Sequence, residues 1–220
     1  MAYKKPVLIE IFSQFVFEPR SVTSDMIFQS VPLLKKNGYP NVEFTQGQLV
    51  GPGQNLGFSI ISRIRCWDEK RKKLIQFSEN EIIFNKVGEY LGWKDFLEFF
   101  KHDWTLLAEI VQKLRLKSVA LNTIDQFTVP LAGFTLGKYL NCAEGTIIPK
   151  WLGEANGAVD VTMGKGVLDA EKSNRQVKIQ VRPKPDSVAI RMEAVFHDIV
   201  NGSSVDAILD RLHKDSNDTF

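Results

Sequence analysis

GWKDFLEFFKHDWTLLAEIVQKLRLKSVALNTIDQFTVP, Gly92 to Pro130, is the stretch that decides the fold. Trp93, Phe96, Phe100, Trp104, Leu107, Val111 and Leu114 recur at steps of three and four, which puts them on one face of a helix over Trp93–Leu114. Leu97 widens that face, while Lys94, Asp95, Glu98, Lys101, Asp103 and Glu109 fall mostly opposite. After a short basic link, Ser118 to Val129 reads as a strand, and Pro130 stops it. A helix with so wide an aromatic stripe is expected to lie on a sheet, and the run that follows supplies one of its strands.

Working outward toward the N-terminus, Val7, Ile9, Ile11, Phe15 and Phe17 alternate and predict a first strand, ended by Glu18-Pro19. Ser21 or Thr23 can cap a helix starting near Ser24, with Asp25 at the positive end of its dipole and Asn37-Gly38 closing it. Pro32 is expected to disturb its middle. Val42 and Phe44 suit a short extended segment, and Gly47 to Gly57 reads as a loop because of Gly51-Pro52-Gly53 and Asn55. Phe58–Trp67 and Leu74–Phe77 read as a hairpin around a charged tip, and Ile82–Phe84 continues it. The order is strand, helix, strands, helix, strand. This predicts an α+β protein whose N-terminal half is a ferredoxin-like βαββαβ unit.

Toward the C-terminus, Leu131 to Gly145 reads as a bridge with a short helix around Tyr139, and Thr146–Trp151 reads as extended. Ala158–Met163, Gly166–Ala170, Gln176–Arg182 and Ser187–His197 read as an antiparallel β-meander. Ser203 or Ser204 caps a last helix with Val205, Ile208, Leu209 and Leu212 inward. The expected division is 1–130, an α+β unit, and 131–220, a β-rich unit with a C-terminal helix, the two able to pack as one domain.

The chain has 220 residues, 44% hydrophobic and 25% charged, with a net charge of +2, so no bulk field argues for nucleic acid or an anionic membrane. No apolar run reaches the roughly 18 residues of a membrane span. The start lacks a signal-peptide pattern, since Glu10 and Gln14 interrupt its apolar run. Cys66 and Cys142 have no metal-ligand spacing; their separation permits a bridge without requiring one, and the default reading is two free buried thiols. A reducing, cytoplasmic setting is expected.

No catalytic signature stands out, and neither a cofactor nor a metal is expected. His102, His197 and His213 have no second ligand at metal spacing, and His197-Asp198 is at most half a site. Asp160, Asp169 and Glu171 flank the second-half hairpin and are the only basis for a metal-dependent hydrolase. The Gly47–Gly57 loop lacks the Lys-Ser/Thr of a phosphate cradle. The basic hairpin is the candidate nucleic-acid interface: Arg63 and Arg65 share a face with Trp67, and Lys70, Arg71, Lys72 and Lys73 crowd its end. The same residues suit a solvated face with an edge guarded by lysine.

Three patches, Pro6-Val7-Leu8-Ile9-Glu10 running to Phe17-Glu18-Pro19, Tyr90-Leu91-Gly92-Trp93-Lys94-Asp95-Phe96, and Leu212-His213 with Asn217 and Phe220, together with Val129-Pro130, carry a likeness. The chain resembles an uncharacterised, sporadically distributed family of bacterial and archaeal proteins. Relatives in that family tend to carry an Arg and an Asn-Arg pair in the strand where this chain has Asn122 and Asp125-Gln126. The resemblance brings no activity with it; it implies mobile genes, the setting of defence or toxin–antitoxin loci. The expectation is therefore a non-enzymatic interaction or assembly protein with a protein partner or a homo-oligomer. Nucleic-acid binding is the first alternative and a metal-dependent hydrolase the second.

Overall fold

The structure, a computed structural model, describes residues 8–19, 21–49, 58–88, 90–132, 159–166, 174–200 and 202–219. It combines helices with one large antiparallel sheet. In chain order the elements are β1 (Leu8–Phe17), α1 (Ser24–Lys36), β2 (Asn41–Leu49), β3 (Phe58–Trp67), β4 (Lys73–Phe77), β5 (Glu81–Val87), α2 (Trp93–Leu106), α3 (Ala108–Val111), β6 (Leu116–Pro130), β7 (Val159–Gly166), β8 (Asn174–Pro183), β9 (Ser187–Ile199) and α4 (Val205–Thr219). The nine strands lie in the order β2-β3-β4-β5-β1-β6-β9-β8-β7. Every neighbouring pair is antiparallel. β6 pairs with β9 from Ser118 to Pro130, so the strands on both sides of residue 130 share one sheet.

β1 sits between β5 and β6, and its alternation sets the two faces. Ile11, Phe15 and Phe17 point one way, into a core cluster that also holds Ile27 and Leu34 of α1, Phe96 and Phe100 of α2, and Ile208 and Leu212 of α4. All four helices contribute to this one core cluster, so they form a layer on a single face. Beyond the end of β1, Val129, Ile179, Val181, Val188 and Ile190 make a second, smaller cluster on the same face of the sheet. No helix among the described residues is long and apolar enough to cross a membrane.

Several expectations need correction. Six strands, not four, precede residue 130, because Asn41–Leu49 is a full strand paired with β3 and the segment from Lys73 to Val87 makes two strands. Gly47 lies within β2 and not in a loop. The turn chemistry that suggested otherwise, Gly51-Pro52-Gly53, lies outside the described residues. Pro32 does not break α1. Its side chain is exposed, and the helix runs on through it from Ser24 to Lys36. Thr23 caps that helix by accepting from the Met26 N–H at 3.3 Å, and Gly38, at φ 98°, turns the chain out of it.

The long helix is also divided. The Leu107 N–H is shared between the carbonyls of Asp103 and Trp104, each at 3.2 Å, which tightens the turn and separates α2 from α3. In the second half, Val159–Met163 and Gly166 belong to one strand, β7, which runs through Gly164, while Ala158 lies outside the described residues. The bridge around Tyr139, the Thr146–Trp151 segment and residues 167–173 lie outside the described residues, as do Cys142 and Phe220. Ser204 caps α4, accepting from the Ala207 N–H at 3.3 Å.

Two quoted patches 120 residues apart in sequence meet in space: the Trp93 ring stacks on His213 at 4.1 Å, and its indole N–H donates to Asp210 at 3.0 Å. This ties α2 to α4. Burial beneath that stack lowers the pKa of His213.

Asp125 carries a pH prediction. It lies on the helix-bearing face, opposite Met192, where the two core clusters meet, and burial pushes its carboxyl up to about 6. A raised carboxyl pKa favours folding while the group is neutral, so stability falls as pH rises from about 4 to about 6. Asp125→Asn should therefore raise stability by about 1–2 kcal/mol at pH 7.5, the linkage value reduced by solvent at a half-buried group, and change little at pH 3.5. Chemical denaturation at the two pH values measures it; equal effects at both would contradict the assignment.

Candidate binding face

Glu10, Phe12, Gln14 and Val16 of β1 point away from the helices, while a register shift before Glu10 leaves Leu8 packed on the helix-side core. Register carries this helix-free face across neighbouring strands: Phe12 lies opposite Asn85 on β5 and opposite Asn122 on β6. Gln14 lies opposite Ile83 and Ala120. Leu74 and Gln76 on β4, and Arg65 and Trp67 on β3, extend the same two rows toward β2. No described helix covers this face, yet its centre is closely packed. Asn85 is 4% exposed, Asn122 7% and Gln76 8%, while Phe12 is half-buried between the two asparagines.

The centre is rich in amides, and two are unsatisfied. The Asn85 side-chain N–H donates to Glu10 Oε1 at 2.7 Å. An ionised carboxylate can only accept, so this bond fixes which atom of the Asn85 amide is nitrogen. Its Oδ1 is then buried with no partner, and so is Nδ2 of Asn122. Each orphaned polar atom costs about 1–3 kcal/mol of desolvation. On the other face Ser13 Oγ and Thr123 Oγ1 are also buried without partners.

The basic hairpin is split by the pleat. Arg63, Arg65 and Trp67 are on the helix-free face, as their spacing predicted, but they are tied to neighbours. Arg63 pairs with Glu81 at 3.6 Å, and Arg65 donates to Gln76 at 3.2 Å. The Trp67 indole donates to Glu43 at 3.2 Å, and Arg71 pairs with Glu43 at 2.8 Å while standing 5.6 Å over the Trp67 ring. Hydrogen bonds from Arg71 and Trp67 hold the Glu43 carboxyl below its ordinary pKa. Lys73 turns to the helix layer, 5.5 Å over Phe99. Lys70, Arg71 and Lys72 stand exposed at the tip, where Asp68 Oδ1 accepts from the N–H groups of Lys72 and Lys73 at 2.6 and 2.8 Å. The six basic residues therefore do not form one surface.

Reactive groups are likewise dispersed. His102 is exposed and lies 2.8 Å from Asp103, a buried carboxylate that also accepts from the Tyr39 hydroxyl. Burial, reinforced by Asp103, raises the Tyr39 pKa. Cys66 is fully buried, and desolvation pushes its thiol up to about 11, which leaves it a poor nucleophile. His197 is on the helix-free face, opposite Ala120; Asp198 is on the helix side, held by Arg211 at 2.7 Å and Arg175 at 3.5 Å. No group of three or more potential metal ligands occurs among the described residues. Asp169 and Glu171 lie outside those residues, and of Asp160 only the backbone is placed, on β7.

The chain matches no known family model and no curated protein.

Sequence reasoning missed the Asn85–Phe12–Asn122 row. One signal was available: Phe12 breaks the alternation of β1 by placing an aromatic on the face that carries Glu10 and Gln14. Asn122 stands out in sequence only as a departure from the family resemblance, and nothing local marks Asn85, because only strand register brings the two to the same row.

Proposed function

We propose that this is a non-enzymatic interaction protein that receives an extended strand on the outer edge of β2, and that β2 of a second copy is the strand it suits best. What carries the reading is the state of that edge. Among the described residues β2 ends the sheet, with β3 as its only neighbour. Long sheet edges are normally guarded by lysine, proline or extreme shortness. β2 is nine residues long, NVEFTQGQL, with neither residue type. Its one charge, Glu43, is engaged by Trp67 and Arg71, and Phe44 is 50% exposed.

Antiparallel self-pairing about Thr45 sets Phe44 opposite Gln46 and Glu43 opposite Gly47, so no like charges meet. Main-chain hydrogen bonds would supply affinity, and a two-fold axis makes both copies equivalent. The same reading takes β1 to β6 as a ferredoxin-like unit enlarged by one hairpin, and keeps the bacterial defence or toxin–antitoxin setting as part of the proposal.

Size-exclusion chromatography with light scattering tests it. The wild type should run as a dimer, and Phe44→Lys, which installs the missing guard, should weaken association at least tenfold. A wild type that is strictly monomeric and co-purifies with no protein would sink the reading.

A second reading, single-stranded nucleic acid on the helix-free face, is favoured by one observation: Arg65 and Trp67 share that face with Phe12. Filter binding at low salt decides it.

A further inference from the structure

The Asn85–Phe12–Asn122 row stands four strands from the β2 edge and is independent of strand pairing there. We infer that it is a recognition site for one planar heterocycle of nucleobase type, stacked on Phe12 and bracketed by the two asparagines.

The amides supply the chemistry. Glu10 engages the Asn85 nitrogen and so turns Oδ1 away as a fixed acceptor with no donor to meet. Nδ2 of Asn122 is buried without a hydrogen-bond partner and is an unused donor. Its amide can turn over and offer either atom. The two residues flank Phe12 on the neighbouring strands, which sets their Cα atoms about 10 Å apart, twice the strand spacing. Two hydrogen bonds of about 2.9 Å leave room between them for one six-membered ring. A nucleobase has what this row lacks: an N–H on one edge for Asn85, an acceptor on another for Asn122, and a π face for Phe12. A simple amide would meet the polar atoms but leave the ring face unused.

In the free chain both orphaned atoms are closed off from water, and Phe12 is the half-buried side chain between them. Entry of a ring therefore requires Phe12 to turn aside. The orphaned groups weaken the fold, and local costs of this kind are expected where polar groups serve a site.

That trade gives a test with two readouts. Asn122→Leu removes an unsatisfied amide for an apolar side chain of the same branched shape and heavy-atom count. Its melting temperature should equal or exceed that of the wild type. Calorimetric titration of the full chain with uridine, cytidine, adenosine and guanosine at millimolar concentration, and with short homopolymeric deoxyoligonucleotides at two salt concentrations, reads binding. Wild type should bind at least one nucleoside or oligonucleotide, and Asn122→Leu should bind it at least tenfold more weakly. Binding of nucleosides alone identifies a free small molecule as the ligand. Tighter, salt-dependent binding of oligonucleotides identifies a base within a strand. If neither class binds the wild type, or if Asn122→Leu lowers the melting temperature while leaving binding unchanged, the inference is wrong. Failure here leaves dimerisation through β2 standing, since light scattering reads that separately.

Discussion

Phe15→Ala should lower stability by about 3–5 kcal/mol, the range for deleting a fully buried aromatic ring from a core that cannot collapse onto the space. Phe15 is 0% exposed in the middle of β1. Its ring stacks on Phe100 at 5.3 Å with 8° between planes, meets Phe84 edge-on at 5.6 Å and touches Trp104 at 4.7 Å. One side chain thus joins the central strand, its neighbour β5 and helix α2. Aromatic pairs contribute about 0.5–1.5 kcal/mol each beyond area burial, so the loss should fall in the upper part of that range. Urea denaturation should show a lower midpoint at an unchanged slope. A loss below about 1 kcal/mol would mean that α2 does not rest on β1.

Asp198→Ala is the second large effect, a loss of about 2–4 kcal/mol. Asp198 is 2% exposed and joins β9 to α4 through Arg211 and to β8 through Arg175. Removing the carboxylate leaves two guanidinium groups facing an acid that is gone, and an uncompensated buried charge is among the costliest defects a fold can carry. Two features hold the loss below the full value for a buried pair. Arg175 keeps Asp215, which it also contacts, and the Arg211 side chain is 48% exposed and can turn to water. Arg191 and Glu193, a more open pair at 2.8 Å, make the comparison: truncating Glu193 should change stability by less than 1 kcal/mol. If both truncations cost the same, the Asp198 cluster is not what fastens α4.

Much of the layer architecture was legible because it rests on periodicity. The stripe from Trp93 to Leu114 marked the helical face, and Phe96, Phe100, Leu107 and Val111 are indeed buried. The alternation of β1 gave Ile11, Phe15 and Phe17 as core. What failed did so for physical reasons. β2 was half-read because Gln46, Gly47 and Gln48 have low strand propensity, and pairing with β3 overrides it. Pro32 sits within α1 without ending it, so the local rule against an interior proline is overridden there. The split at Leu107 has no marker residue: neither glycine nor proline stands there.

Site residues were harder. Arg63 and Arg65 were correctly placed on one face by alternation, but their partners Glu81 and Gln76 come from other strands and appear only with register. The meeting of Trp93 with His213, and of Tyr39 with Asp103, is likewise non-local.

Hydrogen–deuterium exchange along Asn41–Leu49, read at low and high protein concentration, tests the surface-binding account most directly. The account predicts that amides of β2 exchange quickly in dilute solution and gain at least tenfold protection as copies associate, while those of β1, paired on both sides, stay slow throughout. Equal exchange of β2 at every concentration, from a chain that light scattering reports as a monomer, would contradict it.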